Sequence, residues 1–149
     1  MAGFLILLSL ETGMEIECLR DLKADCLRNP SRGYVEIEYR KRRAHSAQWK
    51  RLRVRDGASS TPGGLVRLLI KLTARARIRL GTDRLFAWWN GYRLVADARL
   101  AALATMFVAR HGLVGDDGQA LHLVLPRLRK TQKAEHYIRT EGQLEAFAT

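Results

Sequence analysis

The sequence has little of what would make a disulfide scaffold, a zinc module or a membrane protein. Cys18 and Cys26 are the only cysteines in 149 residues. They stand eight residues apart with no partnering histidine nearby, and read as reduced cytosolic thiols. His45, His111, His122 and His136 lack metal-ligand spacing, and surface or cap positions suit them better. Nothing in the pattern calls for a cofactor. No apolar run is longer than Phe4–Leu8, far short of the roughly 20 residues that span a bilayer. It also makes a poor signal peptide: no Lys or Arg precedes it, and Glu11 stands where small residues should mark a cleavage site. A cytoplasmic protein without membrane attachment is expected. Internal repeats, low-complexity tracts and long linkers are missing too, which argues for a single domain over residues 1–149.

Acid is scarce as well. Lys and Arg number 26 against 15 Asp and Glu, a formal net charge of +11, with a sequence pI near 10.5. Such an excess retains acidic partners, and nucleic acid leads among them. A basic protein with no such partner is the plainer alternative. Arg outnumbers Lys 20 to 6, which suits bidentate phosphate contacts and suits GC-rich coding equally. The imbalance is local. Up to Asp25 five acids face two bases. From Arg40 to Arg55 eight bases run without one acid.

Proline is rare, and each of the three marks a boundary. Asn29-Pro30-Ser31-Arg32-Gly33 reads as a turn. Thr61-Pro62 reads as a helix N-cap and first helical position, and Pro126 as another helix start. Between these marks, Phe4–Leu10 predicts a buried helix stopped near Thr12-Gly13, and Met14–Leu22 a short second helix. Tyr34–Arg40 and Trp49–Arg55 alternate with a period of two. They predict an antiparallel hairpin with Val35, Ile37, Tyr39, Leu52 and Val54 inward. Glu36 and Glu38 are expected to pair across the outer face with Arg51, Arg53 and Arg55. Lys41, Arg42 and Arg43 are expected in the hairpin loop without such partners.

After Pro62, Leu65, Leu69, Leu72 and Ala76 share one helical face, while Arg67, Lys71, Arg75 and Arg79 step along another. That basic stripe suits phosphate, and a solvated charged face is the plainer reading. Leu85–Trp89 is strand or helix. Trp88-Trp89 suit core packing better than base stacking. Ala98–Arg110 predicts a helix. A last one starts at Pro126, with Leu128, Ala134 and Ile138 inward, and ends by Gly142; Gln143–Ala148 begins a further helical turn. The fold class is α+β, mostly helical with a small antiparallel sheet.

The order of these features resembles the catalytic domain of the tyrosine recombinase (phage integrase) family. Thr12-Gly13-Met14-Glu15-Ile16-Glu17-Cys18-Leu19-Arg20-Asp21-Leu22 is similar to its Thr-Gly-Leu-Arg-x-x-Glu-Leu-x-x-Leu opening. A basic hairpin and a Pro-Gly helix start follow, as in that family. Pro126-Arg127-Leu128-Arg129-Lys130-Thr131 resembles its His-x-Leu-Arg-His-Thr signature. Gly142-Gln143-Leu144-Glu145-Ala146-Phe147 resembles the run leading to its Leu-Gly-His motif. The resemblance implies DNA recombination or integration, as in a mobile element, by a tyrosine that attacks a phosphodiester while cations clamp the phosphate. Arg129 matches the second clamping arginine and Lys41 the hairpin lysine that acts as general acid. Both are expected on one positive face, within reach of a common phosphate. DNA contacts are expected from Arg40, Lys41, Arg42, Arg43, Arg67, Lys71, Arg75, Arg79, Arg129 and Lys130, with a recombinase-like oligomer on DNA as the implied assembly.

Three positions depart from the family pattern. Glu15 stands in the first arginine's place, with Arg20 one turn away as its nearest substitute. Pro126 stands in a histidine's place. The Gly-His motif and its tyrosine would follow Thr149, and Tyr137 comes too soon after Arg129 to match that nucleophile. The chain, read as a C-terminally incomplete domain, is therefore expected to bind DNA without cutting it alone. A non-catalytic basic DNA- or RNA-binding accessory protein is the alternative.

Overall fold

The computed structural model describes residues 1–43, 46–88, 93–94 and 100–139. It has an α+β architecture with a three-stranded antiparallel sheet. Helix α1 (Ala2–Thr12) lies at the centre and packs against four later helices: α2 (Ile16–Arg20), α3 (Pro62–Leu80), α4 (Leu100–His111) and α5 (Leu128–Arg139). It buries Leu5, Ile6, Leu8 and Ser9 and leaves Leu7 exposed, so the expected all-round burial holds for one side only. Gly13 ends it with a left-handed φ of 65°, its N–H donating to the Ser9 carbonyl. The buried Ser9 hydroxyl donates to the Met14 carbonyl at 3.0 Å, which fixes the turn into α2 (Ile16–Arg20).

The sheet runs β1 (Leu27–Ser31), β2 (Tyr34–Arg43), β3 (Ser46–Arg55). Strand β1 corrects the turn expected over 29–33. Only Arg32-Gly33 turns, while Asn29 adopts a φ of 46° at an irregularity in the β1–β2 register. An edge strand tolerates Pro30 because one of its sides needs no backbone donor. The β2–β3 hairpin is longer than its alternating cores suggested, pairing through Arg43↔Ser46. Lys41, Arg42 and Arg43 are therefore strand residues and not loop residues. Their run lacks a hydrophobic alternation, but the ladder needs only backbone groups to continue.

Helix α3 starts as its sequence dictates: the Thr61 hydroxyl accepts from the Gly64 N–H at 3.2 Å and Pro62 opens the helix. A side chain at Gly64 would strike the Ala58 carbonyl, which explains the glycine there. The buried face holds Leu65, Val66, Leu69, Thr73 and Ala76. Leu72, expected inward, is 60% exposed. Thr73 and Val66 occupy the buried arc instead, and Leu72 falls at its exposed margin beside Leu68. Residues Leu85, Phe86 and Ala87 are buried at the entry to β4 (Ala87–Trp88), which pairs with β5 (Arg93–Leu94). The expected start of α4 at Ala98, the expected end of α5 at Gly142 and the turn over Gln143–Ala148 lie outside the described residues, as do His45 and Trp89. A 3-10 turn, Leu125–Arg127, leads into α5 and buries Leu125. In α5 Leu128 is buried, but Ala134 and Ile138 are exposed, contrary to expectation. Only the first turn of this polar helix reaches the core.

Candidate nucleic-acid interface

Three elements deliver one charged cluster. Glu15 occupies the N-cap position of α2, in extended conformation, yet makes no capping hydrogen bond. Its Oε1 instead meets Lys41 Nζ at 3.4 Å and is hydrogen-bonded to Arg129 Nη1. Lys41 lies on the face of β2 shared by Val35, Ile37 and Tyr39, two of which are fully buried. The strand's period of two carries that face past the core to the start of α2. Arg129 is placed by its neighbours Leu125 and Leu128, both buried, and by the packing of α5 on α1. It reaches Glu15 across 114 residues of sequence.

The two cations expected to share a phosphate thus converge, and the anion between them is the chain's own carboxylate. Side-chain exposures are 41% for Glu15, 21% for Lys41 and 37% for Arg129, so all three are reachable from solvent. A cleft of about 490 Å³ opens beside them, with Glu15 and Ile16 on one wall and Arg129, Lys130 and Lys133 on another. Arg20 does not join the cluster's two ion pairs. It pairs with Glu17 at 3.2 Å and its side chain is 11% exposed.

Two protonated groups border this cluster. Burial raises the Cys18 thiol, with the Glu15 charge adding to the effect. Burial raises the Tyr39 phenol too, despite an opposing pull from Arg129. Tyr39 is a neighbour that the motif comparison overlooked, although the hairpin alternation places it on the face of Lys41. Tyr137, by contrast, is exposed and sits eight residues after Arg129, about 12 Å along the helix.

Beyond Glu38 the hairpin is basic. Glu38 accepts from Arg51 at 2.9 Å and from Arg28 at 3.1 Å. Those contacts, the Arg51 hydrogen bond first, hold its carboxyl below the ordinary range. Glu36 lies opposite Arg53 in register, as expected, but its carboxylate accepts from Asn29 at 2.7 Å, and Arg53 stacks over the Tyr34 ring at 4.5 Å. Nearer the tip, Arg40 faces Trp49 across the strands and Lys50 faces Tyr39. Arg40, Trp49 and Lys50 are exposed, Trp49 by 59%. The strand positions of Arg42 and Arg43 are described but their side chains are not.

On α3, Arg67, Lys71, Arg75 and Arg79 are all exposed, as the stripe implied. Arg67 is engaged by Asp56, with its closest contact at 2.7 Å. The same outward arc carries Leu68, Leu72 and Ile78, so it is mixed and not purely basic. Among the described residues no group of His, Cys, Asp and Glu is arranged to hold a metal, and no helix is long and apolar enough to cross a membrane. Comparison of the chain with family models, with curated proteins and with solved structures gives no match.

Proposed function

We propose that this chain binds the phosphate backbone of DNA as a recombinase-like module that does not carry out strand transfer alone. The observation that carries the reading is the meeting of Lys41 and Arg129 on one carboxylate. A carboxylate and a phosphodiester both present a pair of anionic oxygens, and charge-assisted contacts from Arg and Lys suit either. The acid-free ribbon beyond Glu38 supports the same reading. Antiparallel two-stranded ribbons fit the major groove of B-DNA, which is about 12 Å wide and 8.5 Å deep.

Chemistry is a separate matter from binding. Transesterification needs a nucleophilic hydroxyl in line with the phosphorus. Tyr137 stands two helical turns from Arg129, and burial makes the Tyr39 phenol harder to ionise. The reading assigns neither the nucleophile's part. Phosphate is bound here and left intact.

Titration of a labelled duplex from roughly 50 to 200 mM salt tests the binding: log affinity should fall linearly with log salt, by about 0.9 per phosphate contacted. Denaturing gels of protein incubated with nicked duplex test the chemistry and should show no covalent band. Absence of binding at low salt refutes the reading, and a covalent band lost on Tyr39→Phe or Tyr137→Phe refutes its second half. Trp49 favours a second reading, an accessory protein for RNA or single strands, because an exposed aromatic beside Arg40 offers a base-stacking platform. Stronger competition by single strands than by duplex would select it.

A further inference from the structure

We propose that Glu15 is an internal anion that fills the Lys41–Arg129 pair when nucleic acid is absent, and that a phosphate must displace it to bind there. The proposal rests on the phosphate-binding reading above and adds a competitor built into the chain.

The geometry of Glu15 is the first support. Glu is not one of the short polar side chains that cap a helix N-terminus, so its carboxylate is free to reach further. Glu15 leaves that role unfilled and turns to two cations on other elements. The second support is exchangeability. All three side chains are partly solvated, and ion pairs in such surroundings contribute little to stability, so the contacts can break at small cost. The third is the approach. The cleft beside Glu15 and Arg129 is walled on the α5 side by Lys130 and Lys133, both exposed. Its other acid, Glu17, is engaged by Arg20. The cleft thus offers an incoming phosphate three cations of α5, Arg129, Lys130 and Lys133, beside Glu15, whose carboxylate Lys41 contacts from β2. A phosphate bound at Arg129 and Lys41 repels Glu15 at close range, so both anions cannot hold the pair together.

Neutralising Glu15 should then strengthen binding more than neutralising a neighbouring acid. Glu17 is the matched control: it lies two residues away, lines the same cleft, and its loss changes net charge equally without releasing the pair. Duplex affinity at fixed low salt is compared for the wild type, Glu15→Gln, Glu15→Ala and Glu17→Gln, with folding checked by circular dichroism. The Glu15 variants should bind roughly 2- to 30-fold tighter than the wild type, the range for two partly exposed ion pairs that no longer compete. Glu17→Gln should gain clearly less. Equal gains in the Glu15 and Glu17 variants would overturn the proposal while leaving phosphate binding intact. If no variant binds duplex, the functional reading fails, and inorganic pyrophosphate titrated into Glu15→Gln decides the anion site. Saturable amide shifts around Lys41 and Arg129, weaker in the wild type, uphold the displaced carboxylate. Their absence overturns it.

Discussion

Under the proposed phosphate-binding reading, removing Arg40 and Lys50 together isolates the part assigned to the ribbon. Among the described side chains, Ile37 on β2 and Val54 on β3 are the last buried ones before the hairpin tip. From Ile37 to Arg43 the strand advances about 20 Å at 3.3–3.4 Å per residue, more than the depth of a major groove. Arg40 and Lys50 lie on this stretch, on opposite faces, and neither has an ion-pair partner among the described residues. Both are exposed, so alanine at each should leave stability nearly unchanged. If each contacts one phosphate, the slope of log affinity against log salt should flatten by about 1.8 in Arg40→Ala/Lys50→Ala. Between about 50 and 200 mM salt, the wild type should then lose roughly tenfold more affinity than the double variant. Fluorescence anisotropy with a labelled duplex reads both slopes. The companion variant Lys71→Ala/Arg75→Ala removes two exposed charges from α3. An unchanged slope in the ribbon variant, with a flattened one in the α3 variant, would refute the ribbon as the contact and move it to the helix.

Two further outcomes concern the fold. Burial pushes the Cys26 thiol up to about 12 and raises Cys18 as well. At pH 8 about one Cys26 in ten thousand is thiolate, so a disulfide-exchange reagent should label neither cysteine until denaturant is added, and rapid labelling of the native protein would contradict this burial. Glu38, Asp56 and Asp83 are each held below the ordinary carboxyl range, first by hydrogen bonds from Arg51, Arg67 and Lys23 respectively. The unfolded chain then binds more protons than the native one below about pH 4, so their stabilisation is complete above that pH and fades as pH falls through the lowered values. Denaturant melts from neutral pH to about 3 should show a shallower acid decline in Asp56→Asn, and an unaltered profile would refute the Asp56–Arg67 contribution.

Local physics was readable where one residue type has one use. Thr61-Pro62 could open a helix, and the alternation of Val35 and Ile37 could only face a core. Errors arose where a signal has two uses. Asn29 and Pro30 mark turns by composition, yet a left-handed residue and a missing N–H are also tolerated at an irregular edge strand. Leu72 fits the helical period, but the buried arc of α3 is set by the sheet and α1 against it, and that arc admits Thr73 because its hydroxyl returns to the Leu69 carbonyl at 2.8 Å. Ala134 and Ile138 repeat the lesson on α5, where period alone cannot say how far the core extends. The charged cluster was harder still. Glu15, Lys41 and Arg129 belong to three elements, and no local pattern joins them. Only the order of motifs hinted that they meet.

The residue at position 15 sets what this cluster can do under the proposed reading. With Lys41 and Arg129 alone the pair carries two positive charges. An arginine there would add a third cation where a phosphoryl transition state gains negative charge, and would be worth most at the moment of reaction. A carboxylate does the opposite. It lowers the charge of the empty site and must be pushed aside before phosphate enters, and that cost falls on ground state and transition state alike. A term common to both states weakens binding without selecting for chemistry. Glu15 therefore fits a site that holds phosphate reversibly. Restoring arginine there should tighten DNA binding without producing a covalent adduct, because added charge supplies no nucleophile in line with the phosphorus.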